Sequence, residues 1–168
     1  MGTTTAHKTW AHSVQKETTM IVVISCGGKK QTKPNQAIDM YKGLYFYGMR
    51  KWALSVTNQR NIFILSAKHG LMRTTKVIDP YQLKLGEPGS VTVEHVQAQA
   101  RAMRIQNKIP IVLGSQEYVT FAGKVWEQIE TPFTFEPQGV MPRTNAGGHV
   151  YQTQYMRRFH GVIPRRQQ

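Results

Sequence analysis

Cysteine is almost absent from the sequence, which contains a single one, Cys26. An internal disulfide is therefore impossible, and a lone thiol favours the reducing setting of the cytoplasm. Long apolar runs are also absent. None approaches the roughly 18 residues of a membrane span, so no membrane partner is expected. Residues 1–19 are polar and lack the apolar centre of a signal peptide, and we interpret them as a flexible leader.

Acidic residues are scarce: 9 Asp and Glu stand against 22 Lys and Arg, which gives a net charge of +13. After Glu136 there is no acidic residue, although five arginines remain: Arg143, Arg157, Arg158, Arg165 and Arg166. A basic excess of this size favours a polyanionic partner. DNA or a phosphate-bearing nucleotide is the main expectation, and RNA is a further one. The alternative is a solvated basic surface that keeps the protein soluble.

Apolar runs and helical stripes alternate along the chain. The predicted strands are Met20–Ser25, Asn61–Ala67, Ile109–Gly114 and a short Phe133–Phe135. The predicted helices are Asp39–Val56, Ser90–Lys108, one capped by Ser115 that runs to Ile129, and Gln152–Phe159. Such alternation predicts an α/β fold: a single three-layer domain over residues 20–160, with a mostly parallel sheet of about four strands flanked by helices. Residues 161–168 are left as a basic tail.

Glycine and lysine pairs follow the first predicted strand, in the stretch Ser25-Cys26-Gly27-Gly28-Lys29-Lys30. Parallel sheets bind ligands beyond the carboxyl ends of their strands, so this loop is a candidate site. Glycines permit a positive φ, successive N–H groups form an anion nest, and lysines add charge. The loop therefore predicts phosphate binding, although it matches neither the Walker A spacing nor G-x-G-x-x-G. A tight turn with solvated lysines is the alternative.

Cys26 in this loop has two possible roles. It is a nucleophile if Lys29 or a helix N-terminus stabilises its thiolate, and otherwise a small buried residue at the end of a strand.

Polar side chains also follow the second predicted strand. Ser66, Lys68 and His69 come at its end, and Asp79 and Tyr81 flank Pro80 further on. Pro80 biases Asp79 toward an extended backbone, which can hold its carboxylate rigidly. A carboxylate, an imidazole and lysines in one loop system suit acid–base chemistry, so Asp79, His69 and Cys26 are the candidate catalytic residues. The alternatives are a hydrogen-bonded structural histidine and an aspartate that caps a turn.

Metal chemistry has little support, because the histidines form no H-E-x-x-H motif and no Cys/His pair at ligand spacing. We therefore expect no metal and no cofactor. A Ser-His-Asp triad remains open, although no G-x-S-x-G elbow is present.

Basic and aromatic residues are interleaved in two predicted helices. The first set is Tyr41, Lys42, Tyr45, Phe46, Tyr47, Arg50 and Lys51, and the second is Tyr151, Tyr155, Arg157, Arg158 and Phe159. Such interleaving suits base stacking combined with phosphate contacts. The candidates for nucleic-acid binding are Lys42, Arg50, Lys51, Arg143, Arg157 and Arg158. The alternative, which we expect for Tyr45 and Trp52, is that the rings lie in the core.

Three stretches within residues 20–86 carry a family resemblance: "VISCGGKK", "DMYKGLYF" and "ILSAKHGLMRTTKVIDPYQLKLG". They resemble the blocks of an uncharacterised phage and bacterial domain family, although Arg73 and Thr74 stand where that family usually has a proline nearby. They are also distantly similar to the YaaA peroxide-stress proteins. The segment from Cys26 to Lys30 resembles the "PCSxxKPYS" loop of the archaeosine synthase core domain. The stretch "NAGGHVYQTQYM" is similar to the family's closing helix start.

This resemblance implies nucleic acid as the partner. The YaaA group is associated with DNA binding and protection from oxidative damage, and archaeosine synthase modifies a 7-deazaguanine base in RNA. Phage relatives suggest DNA-base modification or counter-defence. We therefore expect a cationic pocket at the C-terminal edge of the sheet, in a base-modifying or glycosidic-bond-acting enzyme. The residues expected to bind substrate or phosphate are Ser25, Gly27, Gly28, Lys29, Lys30, Ser66, Lys68 and Tyr81.

In this hypothesis Lys29, Lys30 and Lys68 clamp phosphates, and His69 donates or accepts a proton. Asp79 orients a water or an amine, or stabilises a developing oxocarbenium ion. The rival hypothesis is a protein without turnover that coats DNA or binds a nucleotide signal. The sequence leaves the base, the reaction and the oligomeric state open.

Overall fold

The computed structural model describes residues 19–131. The strands formed within them are β1 Val22–Ser25, β2 Asn35–Gln36, β3 Ile62–Ser66, β4 Gly70–Arg73, β5 Val77–Ile78 and β6 Ile111–Leu113. A four-stranded sheet has the order β4-β3-β1-β6. In it, β1 pairs in parallel with both β3 and β6, while β4 is antiparallel to β3. The prediction of a mostly parallel sheet of this size is confirmed.

The central strands are buried on both faces, as their continuous apolar runs predict. Side chains alternate along each strand, so Val22 and Ile24 of β1 pack in one core cluster while Val23 packs in the other. The strand β3 divides in the same way, with Ile64 on the first face and Leu65 on the second. Helices cover both faces, and the predicted three-layer α/β arrangement is therefore confirmed.

The first face of the sheet is covered by α1 Ala37–Met40 and α2 Leu44–Val56. The prediction of one continuous helix over Asp39–Val56 is wrong in this respect. The core side of α2 consists of Phe46, Met49, Trp52 and Ala53.

The break between α1 and α2 has a physical cause. Tyr41 and Gly43 have extended backbones, with ψ angles of 126° and 146°. Between them, the amide of Lys42 donates to the carbonyl of Lys29 over 2.9 Å. The helix is thus interrupted because the backbone at Lys42 pairs with the loop that follows β1 instead of continuing the helical hydrogen bonds.

The second face is covered by α3 Val93–Ala102 and α4 Gln116–Val125, both shorter than the predicted helices. Thr92 caps α3, because its hydroxyl accepts the amide of His95 over 3.2 Å. Ser115 precedes α4 as predicted, but its side chain makes no capping hydrogen bond.

The segment after β3, for which the sequence predicted only a loop, contains two strands: β4, which forms a hairpin with β3, and β5, which belongs to a two-stranded ribbon. The strand β4 follows β3 after a turn over residues 67–69, and Gly70 closes this turn with a φ of +69°. The strand β5 pairs antiparallel with β2. Next to this ribbon, the amide of Ala37 donates to the carbonyl of Lys76 over 2.7 Å. The segment that carries Lys76 and Asp79 is therefore folded back against the start of α1.

The predicted strand Phe133–Phe135, the predicted helix Gln152–Phe159, residues 1–18 of the leader and the basic tail lie outside the described residues. Just before that limit, Glu130 bridges Ile111 in the parallel sense, beside β6. Among residues 19–131, none of the helices has the length and apolar character that a membrane span requires.

Candidate functional site at the carboxyl edge of the sheet

The loops after β1 and β3 meet at one edge of the sheet, because the two strands are parallel neighbours. The first residue of the loop after β1 still pairs with β3: the amide of Cys26 donates to the carbonyl of Leu65 over 2.9 Å. We use the name edge site for the polar side chains of these loops and of the break before α2, namely Cys26, Lys30, Tyr41, Ser66, Lys68, His69 and Tyr81.

Ser66 is the buried centre of the edge site. Its hydroxyl oxygen accepts the amides of Lys68 and His69, both over 3.1 Å, and lies 2.7 Å from the hydroxyl of Tyr81. The two amides fill both lone pairs of the oxygen, so Ser66 must donate its own proton to Tyr81. The hydroxyl of Tyr81 in turn lies 2.8 Å from that of Tyr41.

One phenolic proton is left over in this chain of hydroxyls. Tyr41 and Tyr81 carry one proton each, and a single hydrogen bond joins them. Within residues 19–131, the only other hydrogen bond of either hydroxyl is the one from Ser66. Burial raises the pKa of both phenols, so both keep their protons at neutral pH. The edge site therefore offers one O–H group for which the described part of the protein has no acceptor.

Lys30 and Lys68 both lie close to the ring of Tyr81. The ammonium of Lys30 is 4.4 Å from the ring centroid and that of Lys68 is 5.7 Å from it, within the range of cation–π interactions. Lys30 also donates to the carbonyls of Gly27 and Gly28, over 3.2 and 3.3 Å. Burial lowers the pKa of Lys30, because the charged form loses hydration there.

The predicted lysine pair is divided, because Lys29 is exposed while Lys30 is half-buried. Gly27 and Gly28 do not adopt the positive φ that we expected of this loop. The side chain of Lys30 closes the turn instead, by binding both glycine carbonyls. The amides of Gly27 and Gly28 donate no hydrogen bond within the described residues, which leaves them available to an anion.

His69 is fixed at both of its backbone groups. Its amide donates to Ser66, and its carbonyl accepts the side-chain amide of Gln99 over 2.9 Å. The oxygen of the same Gln99 side chain accepts the amide of Leu71 over 2.7 Å. The imidazole stands edge-on to Tyr81, with 5.4 Å between the ring centroids. These restraints hold the ring of a turn residue in a defined place.

The surroundings of His69 favour a neutral imidazole. Burial lowers the pKa of His69, and the charges of Lys76 and Lys68 lower it further, while Asp79 opposes them. The Nε2 atom is buried and has no hydrogen-bond partner within residues 19–131. Within the described residues, no hydrogen bond of Nε2 supports the alternative of a structural histidine. Buried polar atoms without a partner are uncommon in native proteins and need an explanation.

Asp79 is exposed, and its carboxylate makes no hydrogen bond or ion pair within the described residues. The alternative of a turn cap therefore has no support there. Its connection with the edge site is electrostatic, through His69. Tyr81, two residues later, is buried and central to the site.

Cys26 is half-buried, and its thiol lies 3.0 Å from the hydroxyl of Tyr118 on α4. Lys30, in the same loop, interacts electrostatically with Cys26. The phenol gives Cys26 a structural partner, and its role as a nucleophile stays a prediction. Its neighbour Ser25 is buried so closely against Gly114 that a Cβ there would collide with it.

The basic candidates on α2 and before it are of two kinds. Lys42 and Lys51 are exposed. Arg50 instead donates to the carboxylate of Asp39 over 2.7 Å and to the carbonyl of Ile38 over 3.1 Å, and so ties α2 to α1. The candidates outside the described residues are Arg143, Arg157 and Arg158.

Four residues that the sequence did not assign to the site contribute to it: Tyr41, Lys76, Gln99 and Tyr118. Gln99 and Tyr118 belong to helices of the second face, and no local motif marks them. Tyr41 lies in the stretch "DMYKGLYF", so the family resemblance was the signal that could have identified it. Within residues 19–131, no three His, Cys, Asp or Glu side chains are grouped so that they could hold a metal ion.

Comparison with known proteins identifies the family. Residues 21–140 match the profile of a family of unknown function, DUF6884, and the chain belongs to this family. The match includes every member of the edge site. No curated protein and no solved structure matches the chain.

Proposed function

We propose that this protein acts on nucleic acid, and that the edge site binds a phosphate-bearing nucleotide unit on which His69 performs proton transfer. The class of reaction is modification of a base or cleavage of its glycosidic bond. The resemblances to YaaA proteins and to archaeosine synthase support the same class of substrate.

The observation that carries this proposal is the placement of His69. A neutral imidazole with an unpartnered nitrogen can accept a proton near neutral pH. Ser66 and Gln99 restrain its backbone on both sides. Restraint by neighbouring hydrogen bonds is what holds a proton-transfer group in a productive geometry.

The chemistry of the edge site matches an oxyanion. Its available groups are proton donors and cations, and a phosphate offers only acceptors and negative charge, so it satisfies all of them together. These groups are the leftover phenolic proton of Tyr41 or Tyr81 and the ammonium groups of Lys30 and Lys68. The loop that carries Lys30 adds the amides of Gly27 and Gly28.

The net charge of +13 supports a polyanion rather than a free small anion as the partner. An enzyme that acts on a base extrudes the target nucleotide from its stack, and phosphate contacts to cations fix the strand in position. In such a complex, the exposed carboxylate of Asp79, which interacts electrostatically with His69, would orient a water or an amine, or stabilise a developing oxocarbenium ion.

A second function, nucleic-acid binding without turnover, is favoured by one observation. The Nε2 atom of His69 is shielded from solvent, so a substrate could reach it only if a neighbouring side chain moved. A protein that coats DNA or captures a nucleotide signal needs no such movement.

Mass spectrometry of nucleosides, from DNA and RNA incubated with the protein, tests the proposal. We expect a new or lost base with the wild type, and at least about 100-fold less of this product with His69→Gln, because general acid–base catalysis is lost. His95→Gln is the matched control and should keep full activity. His95 is an exposed histidine of α3 whose side chain makes no hydrogen bond within residues 19–131.

The possible outcomes separate the two functions. Tight binding without any altered nucleoside would favour binding without turnover. Product formation that is unchanged in His69→Gln would refute the role of His69.

A further inference from the structure

Helix α2 carries an exposed stripe on the side opposite its core residues. Leu44 and Tyr47 are 83% and 60% exposed, and Lys51 is exposed as well. These residues are spaced i, i+3 and i+7, so they lie on one face of the helix. With Lys42, which is exposed just before the helix, they form what we call the α2 stripe.

The free charge around the α2 stripe is positive. Asp39 and Asp79 are the only carboxylates in residues 19–86. Arg50 engages Asp39 over 2.7 Å, so that carboxylate does not offset Lys42 and Lys51. Within residues 19–131, neither Lys42 nor Lys51 has an ion-pair partner, so this surface combines an exposed aromatic ring with unpaired cations.

The α2 stripe begins beside the edge site. Tyr41, a member of the edge site, directly precedes Lys42 of the stripe, and its backbone forms an antiparallel bridge with Lys30. The amide of Lys42 donates to the carbonyl of Lys29, in the loop that follows β1. A strand held at the edge site could therefore continue along α2.

We propose that the α2 stripe binds single-stranded nucleic acid that leads into the edge site, an inference that rests on the proposed function. An exposed aromatic ring stacks on bases where their faces are free, while lysines contact the backbone of any strand. Leu44 next to Tyr47 extends the apolar surface on which a base can lie. In a duplex the base faces are covered by their neighbours, so Tyr47 would contribute little to duplex binding.

A second copy of this chain would be a poorer occupant of the α2 stripe. In a two-fold symmetric contact, the same patch of both copies meets. Lys42 and Lys51 of one copy would then face the same lysines of the other, with Asp39 already paired to Arg50. Like charges that face each other disfavour such a contact.

Fluorescence anisotropy with labelled single-stranded DNA, single-stranded RNA and duplex DNA tests the inference. We expect Tyr47→Ala to weaken single-strand binding about 5- to 100-fold and to leave duplex binding unchanged. Tyr47→Phe keeps the ring and should bind as the wild type does. The two single-stranded probes show whether DNA or RNA is the preferred strand.

The contribution of the lysines of the stripe is measured separately, from the salt dependence of single-strand binding. Lys51→Ala should reduce the slope of log K against log salt concentration for a single strand by about 0.7, because one phosphate contact is lost. Lys124→Ala removes an exposed lysine from α4 on the second face and should leave the slope unchanged.

Two results would overturn the inference. One is Tyr47→Ala with no effect, or with equal losses for single strands and duplexes. The other is a dimer in sedimentation that Tyr47→Ala dissociates, since it would assign the stripe to a second copy. Binding that depends on Tyr47 without altered nucleosides would remove the enzymatic function and keep the stripe. Altered nucleosides together with binding that does not depend on Tyr47 would support the enzymatic function and remove the role of the stripe.

Discussion

The two halves of the described chain differ in charge although they build one sheet. Residues 19–86 contain 11 Lys and Arg against 2 Asp and Glu, whereas residues 87–131 contain 4 against 5. The first half supplies the loops of the edge site and the α2 stripe, and the second supplies α3, β6 and α4. A basic excess needed only for solubility has no reason to be missing from the second of these halves. The distribution therefore favours a binding surface over a solvated coat.

The second half nevertheless reaches the edge site through neutral side chains. Gln99 of α3 holds the carbonyl of His69, and Tyr118 of α4 lies 3.0 Å from the thiol of Cys26. A neutral amide and a neutral phenol can position other residues without weakening an anion site by their charge. The first half thus carries the groups that would recognise a ligand, and the second half positions some of them.

The largest expected effect is that of Gly70→Ala, at the turn where Gln99 joins the two halves. An alanine at position 70 would have to keep the left-handed φ of +69°, and its Cβ would collide with the side-chain amide of Gln99. The backbone conformation should cost about 1–2 kcal/mol, and the lost hydrogen bonds of Gln99 about 1–3 kcal/mol more. Denaturant titration measures this loss as a fall in the free energy of unfolding.

Gly86→Ala is the matched control for this substitution. Gly86 has a φ of +86° and open space where its Cβ would lie. The free energy of unfolding of the Gly86→Ala variant should therefore fall by only about 1–2 kcal/mol, the cost of the left-handed backbone. Equal losses in the two variants would show that Gln99 does not hold the turn of His69.

The parallel strands of the sheet were predictable from the sequence, whereas the antiparallel edge strand β4 was not. The strands β1 and β3 are continuous apolar runs, because both of their faces are buried. The strand β4 escaped prediction because the turn that precedes it lacks the Asn-Gly or Asp-Gly signature of a hairpin. The break at Tyr41 escaped it because the apolar spacing remains helical across it.

The candidate site was predictable in the loop segments that follow the first two predicted strands. Ser66, Lys68 and His69 directly follow β3 or end it, so their place at the carboxyl edge was expected. Gln99 and Tyr118 reach the site from other helices, and nothing local in their sequence signals it. The unpartnered Nε2 of His69 and the leftover phenolic proton depend on hydrogen bonds between distant segments, which no sequence pattern contains.

A smaller effect is expected from pH, because the fold favours a neutral His69. The pKa of His69 in the folded state lies below its ordinary value of 6.5. The unfolded chain therefore binds this proton more readily. The free energy of unfolding should fall as the pH drops below about 6.5, until the lower pKa of the folded state is passed. Above about pH 6.5, His69 should contribute nothing to the pH dependence of the free energy of unfolding.

Denaturant titrations of wild type and His69→Gln across this pH range measure the effect. The variant should lose part of the pH dependence of the free energy of unfolding. Identical pH profiles for wild type and His69→Gln would contradict the electrostatic assignment of His69.

The most direct test of the central claim, that nucleic acid binds the first half of the chain, is an NMR titration with a short single-stranded oligonucleotide. The amide resonances of Gly27, Gly28 and His69 should shift, together with those of Tyr47 and Lys51, and the shifts should weaken as salt is added. The amide resonances of the exposed residues of α4 should not shift. Shifts concentrated on α4, or no shifts at low salt, would contradict the claim.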